Sequence, residues 1–156
     1  MKLEIERKFI VNDSKLSLLS NGDYIIQGYL TDNNKNSIRV RRINDDAYLT
    51  IKNSDTAMVR SEFEYPINLD EANYMLKYLC LNLLIKKTRY KINFNQHVWF
   101  VDKFEADNKG LVLAEIELGS INESFEPPEW LLEEVTNNSR YYNSCLAKHP
   151  FSKWAS

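Results

Sequence analysis

The chain has 156 residues, 44% apolar and 12% aromatic, with a formal net charge of -2. That length and composition predict one globular domain over residues 1–156 with a real core, rather than a disordered chain. The near-neutral balance removes a bulk electrostatic case for nucleic-acid binding, and no apolar run reaches membrane-spanning length. The charged opening residues predict no signal peptide either.

The first strand is predicted at Lys2–Val11, followed by a short helix near Ser14–Ser20. Further strands are predicted at Tyr24–Leu30, Ser37–Ile43, Ala47–Ile51 and Val59–Ile67. Turn residues at Thr31–Asn36 and Asn44–Asp46 join neighbours as hairpins. A helix over Asn68–Leu81 follows, with Asn68 as N-cap, Glu71 three positions on, and Ala72, Met75, Leu76, Leu79 and Cys80 at helical spacing. The last strands are predicted at Leu84–Phe94, His97–Phe104 and Leu111–Leu118, with turns at Asn95–Gln96 and Asp107–Gly110. After Pro127–Pro128, helix is expected over Glu129–Val135 and again over Ser139–Lys148, where Pro150 stops it. The sum is a mostly antiparallel α+β protein with strands enough for an eight-stranded barrel.

The strands repeat one pattern. Alternate side chains on a strand share a face. Glu4, Glu6 and Lys8 share one; so do Arg39 and Arg41; Tyr48, Thr50 and Lys52; Arg60, Glu62 and Glu64; Lys87, Arg89 and Lys91; Asp102 with Phe100 and Phe104; and Glu115 with Glu117. The opposite faces are aliphatic and aromatic. On any one open sheet this means charge outward and apolar inward. Taken together, Arg and Glu dominate the charged faces, the signs are segregated by strand (acidic on the first and last, basic on the third, mixed on others), and two amphipathic helices need apolar surface to cover. If they cover the apolar faces from outside, the charges line a tunnel. Such a lining requires a polyanion and its cations, because buried charge is costly unless paired or ligated.

Neither a P-loop nor a GxGxxG motif occurs, so any phosphate is held by side chains. His97 and His149 have no partner at metal-ligand spacing. Cys80 and Cys145 lack CxxC spacing and read as reduced core thiols of a cytoplasmic protein.

The ordered blocks EIERK (4–8), QGYL (27–30), IRVR (38–41), YLTIK (48–52), RSEFEY (60–65), KTRY (87–90), LVLAEIEL (111–118) and EVT…RY (134–141) resemble the CYTH superfamily, the triphosphate tunnel metalloenzymes, over nearly the whole chain. The short bacterial members look most similar. The resemblance implies an eight-stranded antiparallel barrel forming a tunnel, helices packed outside it, and a linear triphosphate bound with one or two divalent cations, Mg²⁺ or Mn²⁺. By position in the family's motifs, Glu4, Glu6, Glu115 and Glu117 are expected as metal ligands. Glu62, Glu64 and Asp102 are expected to hold a second cation or position the attacking water. Lys8, Arg39, Arg41, Lys52, Lys87 and Arg89, with Arg60 and Arg140 added, are expected to bind phosphate. Some members bring a lysine from a C-terminal plug helix to the site; Ser139–Ala147 has none and offers Arg140, Tyr141 and Tyr142.

The resemblance implies hydrolysis of inorganic triphosphate to pyrophosphate and phosphate. The alternatives are an adenylate cyclase acting on ATP, a thiamine or nucleoside triphosphatase, and a non-enzymatic phosphate-binding module. The expected partner is a triphosphate-containing small molecule, not nucleic acid or a membrane, and a homodimer is the base-rate expectation for a small enzyme.

Overall fold

The computed structural model describes residues 2–17, 19–33, 35–53 and 58–154. Leu18, inside the expected Ser14–Ser20 helix, and Asn34, inside the expected turn after the second strand, lie outside the described residues. Among the described residues nine strands form: β1 (Lys2–Val11), β2 (Asp23–Asp32), β3 (Asn36–Ile43), β4 (Asp46–Asn53), β5 (Val59–Pro66), β6 (Leu81–Phe94), β7 (His97–Phe104), β8 (Val112–Glu117) and β9 (Leu131–Glu134). Helix α1 (Leu69–Tyr78) separates β5 from β6, and α2 (Asn143–Lys148) follows β9.

The sheet runs β5-β4-β3-β2-β6-β7-β8-β1, all antiparallel, and closes through β1 against β5. This is the expected eight-stranded barrel. The hairpin turns obey their residues: Asn44 takes φ 52°, and Asn95 and Gln96 take 45° and 66°, the left-handed conformation that tight two-residue turns demand.

The ninth strand replaces an expected helix. Residues 129–135 carry apolar side chains at spacings a helix could use, but β1 has an open edge there. Its first half pairs with β5, and beyond Ile5 that partner is gone. Backbone groups of Asn12 and Lys8 instead bond Trp130 and Val135 at 2.8 Å each. An unmet row of backbone donors and acceptors outweighs a weak helical preference. The expected helix near Ser14 is a 3-10 turn, Asp13–Lys15, capped by Asn12.

Helix α1 begins as its sequence requires. The Asn68 side chain accepts the N–H groups of Asp70 and Glu71 at 2.8 and 3.2 Å. It ends at Tyr78 rather than Leu81, because Leu81 is already the first residue of β6 and pairs with Tyr29 of β2. Its buried Ala72 and Leu76 pack on Val40 and Ala47, covering the outer face of β3 and β4. The outer face of β1, β7 and β8 is covered without a helix: Phe125 and Trp130 pack edge-on to Trp99 at 5.4 and 5.6 Å.

Helix α2 has a different place. Leu146 and Ala147 pack on Tyr29, Ile85, Phe104 and Leu113. Those four share strand parity with Gln27, Lys87, Asp102 and Glu115, so they belong to the barrel's inner face. The helix therefore closes one end of the barrel instead of lying along its side. No helix among the described residues is long and apolar enough to cross a membrane.

Candidate active site

Above the apolar plug lies a cavity of about 110 Å³, room for several waters. Strand alternation aims Glu4, Glu6 and Lys8 of β1 into it, with Arg39 and Arg41 of β3 and Lys52 of β4. Arg60 and Glu62 of β5, Arg89 of β6 and Glu115 of β8 complete the charged wall. Thr136, Tyr142, Asn143 and Ser144 form its floor at the plugged end. Ten of the fifteen expected site residues thus face one cavity, six cations against four carboxylates.

Register decides which charges meet. Lys8 stands opposite Glu115 on β8, Lys52 opposite Glu62 on β5, and Arg89 opposite Asp102 on β7. The resulting contacts follow: Lys8 Nζ to Glu115 at 3.4 Å and Lys52 Nζ to Glu62 at 3.6 Å. Lys52 also reaches across the β1–β5 seam to Glu4 at 2.8 Å. Arg89 grips Asp102 with two nitrogens at 2.7 and 2.8 Å and touches Glu115 at 3.1 Å, the bidentate geometry that a guanidinium favours.

Five expected residues sit elsewhere. Asp102 and Lys87 are on the inner face too but do not line the cavity; they are paired with each other at 2.8 Å and are 1% and 0% exposed. Glu64 is half exposed; it accepts the Thr50 hydroxyl at 2.9 Å and lies 3.8 Å from Arg39. Glu117 pairs with Lys2 at the exposed rim, 2.9 Å apart. Arg140 turns away and stacks on the Trp154 ring, 3.8 Å from its centroid. The stack forms because Pro150 and the turn after it fold Trp154 back over the 139–141 segment, a tertiary contact that no local pattern announces.

Sequence reasoning missed the neutral members. Gln27 is fully buried and accepts Arg41 Nε at 2.8 Å. Thr50 accepts Arg39 Nη2 at 3.2 Å. Thr136 accepts the Lys8 backbone N–H at 3.0 Å and donates to Glu134 at 2.6 Å. For Gln27 and Thr50 the signal was available, since polar residues at inward parity on charged strands must be hydrogen-bonded to something; Thr136 lies after β9 and had no such signal.

The electrostatics divide the cavity. Burial pushes the Glu4 carboxyl up, but Lys52 and hydrogen bonds from Glu62 and Lys52 bring it down to about 2. Glu6 rises to about 7, from burial first and then the charges of Glu115 and Glu4. Glu115 is held low: burial would raise it, and Arg89 and Lys8 prevail. On the basic wall, burial and the neighbouring Arg39 and Arg89 lower Arg41 to about 9. Arg39 is buried, and its Nε has no hydrogen-bond partner among the described residues. A crowded, incompletely paired set of guanidiniums facing strained carboxylates is stabilised by an anion on one side and a cation on the other.

The carboxylates of Glu4, Glu6, Glu62 and Glu115 are the hard oxygen donors that Mg²⁺-like ions take. Among the described residues no three acidic, His or Cys side chains are already drawn around one ion position. Lys52 bridges Glu4 and Glu62 instead. The donor chemistry fits a divalent cation, and Lys52 is the charge such an ion would displace.

Known proteins resemble this chain in sequence and fold. An inorganic triphosphatase of Acetivibrio thermocellus is 45% identical over 154 residues, 99% of each chain. An inorganic triphosphatase of Nitrosomonas europaea is 33% identical over 151 residues, 92% of this chain and 96% of that one. The crystal structure of an inorganic triphosphatase superposes with a TM-score of 0.68 at 29% identity, over 94% of this chain and 95% of the other. The CYTH domain profile matches residues 2–148. With the closed barrel and its inward charges, that match makes this chain a member of the CYTH domain family.

Proposed function

We propose that this protein hydrolyses inorganic triphosphate to pyrophosphate and phosphate with Mg²⁺ or Mn²⁺. The observation that carries the reading is the cavity itself: six cations and four carboxylates facing each other inside a barrel plugged at one end. The two full-length relatives named inorganic triphosphatase support hydrolysis over cyclisation of ATP.

CYTH triphosphatases act with divalent metal, and here Glu4, Glu6, Glu62 and Glu115 would hold it. When bound, such an ion supplies Lewis acidity and neutralises phosphate charge. The protein's own groups do the rest. Arg39 and Arg41 receive phosphate oxygens, the first through a buried N–H that otherwise has no acceptor. Lys8 and Arg89 add charge from the opposite wall. The tunnel fixes the triphosphate among preorganised donors, so stabilisation of the transferring phosphoryl group costs no reorganisation. Glu62 orients the attacking water. Asp102 does not touch substrate in this reading; it holds Arg89 and Lys87. Glu64 holds Arg39 through Thr50, and Glu117 remains at the rim with Lys2. No covalent nucleophile is required: Cys80 packs under α1 and Cys145 lies in α2, neither on the cavity wall. The unpaired thiols suit a cytoplasmic setting.

The test uses purified protein with Mg²⁺ or Mn²⁺ and, separately, tripolyphosphate, ATP and thiamine triphosphate. Phosphate release should be fastest from tripolyphosphate and should stop on chelation. Cyclic AMP as the main product, or tight tripolyphosphate binding with no release under either cation, overturns the reading. Glu4→Gln should give a folded, inactive protein.

A further inference from the structure

The plug segment offers the cavity no cation. Residues 139–147 contain no lysine, Lys148 at the end of α2 is paired with Asp32 at 2.7 Å and does not line the cavity, and Arg140 is stacked on Trp154. What it offers is the ring of Tyr142, which faces the cavity. Arg60, from the far strand β5, lies over that ring at 5.2 Å, and Lys8 lies 5.8 Å from its centroid. The Tyr142 hydroxyl donates to the Thr136 carbonyl at 3.1 Å, which fixes the ring.

Arg60 differs from its neighbours in how it is held. Lys52 is engaged by Glu4 and Glu62, Arg89 by Asp102 and Glu115, and Arg41 by Gln27. The residue directly across from Arg60 is Glu4, which Lys52 occupies. Among the described residues Arg60 makes no ion pair; what it meets is the aromatic face of Tyr142. That distinction has a chemical consequence. A carboxylate holds a guanidinium through its in-plane N–H groups, the same donors a phosphate needs. An aromatic ring attracts the cation through its π face and does not take up the bidentate pair of N–H donors that a carboxylate would. An arginine kept by a ring is therefore aimed without being consumed.

We propose that Tyr142 is a positioning residue for substrate: it holds Arg60 over the plugged end of the cavity, where its free N–H edge receives an oxygen of a phosphate group. The plug thereby contributes a cation borrowed from β5 instead of one of its own. This rests on the triphosphate reading above.

The experiment compares steady-state hydrolysis of tripolyphosphate by the wild type and by Tyr142→Leu, Tyr142→Phe, Arg60→Ala and the Y142L/R60A double variant, with a thermal melt for each. Y142L should raise KM roughly five- to thirtyfold, with kcat changed by less than about threefold. Y142F keeps the ring and should restore KM to near the wild-type value despite losing the Thr136 contact. R60A should raise KM by a similar factor, and the double variant no further, because the two residues act as one unit. An unchanged KM in Y142L, additive effects in the double variant, or no recovery in Y142F overturns the assignment. A Y142L protein with a lowered Tm and an unmoved KM also overturns it. If Y142L does not fold, Arg60→Lys decides: it keeps the charge and loses the flat face, so it should recover only a minor part of the R60A defect. Full recovery by R60K means that charge alone suffices and the ring is dispensable. Wild-type protein that releases no phosphate from tripolyphosphate defeats the underlying function instead, and that result is distinct from any failure of Tyr142.

Discussion

Replacing Asp102 by Asn tests how the basic wall is built. Asp102 is 1% exposed and answers two buried cations, Lys87 at 2.8 Å and Arg89 at 2.7 and 2.8 Å. The substitution keeps the shape and removes the charge. Breaking a buried pair from one side costs roughly 3–5 kcal/mol, because the remaining charge is left without compensation. Arg89 keeps Glu115 at 3.1 Å, and Lys87 keeps Asn143 at 3.4 Å and the Phe104 ring at 5.5 Å, so a loss near the lower end, about 3 kcal/mol, is expected. For a chain of this size that lowers Tm by about 6–12 °C. The pH dependence carries the sign of the effect. Burial, only partly opposed by Asp102, holds the Lys87 ammonium below its ordinary pKa of 10.5. Without Asp102 the value falls further. The unfolded chain keeps that proton longer, so D102N should gain stability relative to wild type as pH rises from 7 towards 9. Thermal melts at pH 7 and 9 read both effects, and tripolyphosphate kinetics should show KM raised about tenfold as Arg89 loses its aim. A Tm shift under about 3 °C, or a gap that does not narrow at alkaline pH, would refute the view of Asp102 as the counter-charge of this wall.

Three further outcomes follow from individual contacts. In metal-free protein, Glu6 has a folded pKa of about 7 against an ordinary 4.5, so the unfolded chain releases that proton first and stability should fall as pH rises between those values. Glu6→Gln should flatten that slope in denaturant titrations, while the stabilising contribution of Glu4, lowered to about 2, is lost only below pH 4.5 and should persist. Arg140→Ala should leave KM for tripolyphosphate unchanged and lower Tm by about 1–4 °C, the value of an exposed stack on Trp154; a tenfold rise in KM would place Arg140 back in the site. Leu146→Ala empties a fully buried position in the plug and should cost about 2–5 kcal/mol by chemical denaturation; a loss below about 1 kcal/mol would show that the barrel end does not depend on α2.

The sequence by itself determined the faces. Alternation along β1, β3, β5, β6 and β8 separates Glu4, Arg39, Glu62, Arg89 and Glu115 from their apolar neighbours, and that period is local, set by the pleat of a strand. It also determined the turns, where Asn44 and Asn95–Gln96 could accept positive φ, and the start of α1 at Asn68. Only the tertiary structure decided the rest. Whether β1 pairs with β5 or with β9 depends on where an edge is left open, so residues 131–134 became strand rather than helix. Which carboxylate meets which cation depends on register between strands distant in sequence, so Asp102 is taken up by Lys87 and Arg89 while Glu115 lines the cavity. Arg140 and Tyr142 lie two residues apart, yet one stacks on Trp154 and the other faces the cavity, because each is placed by what the folded chain brings to it. Periodicity encodes direction, which is a property of one segment; partners are a property of closure, which no segment carries alone.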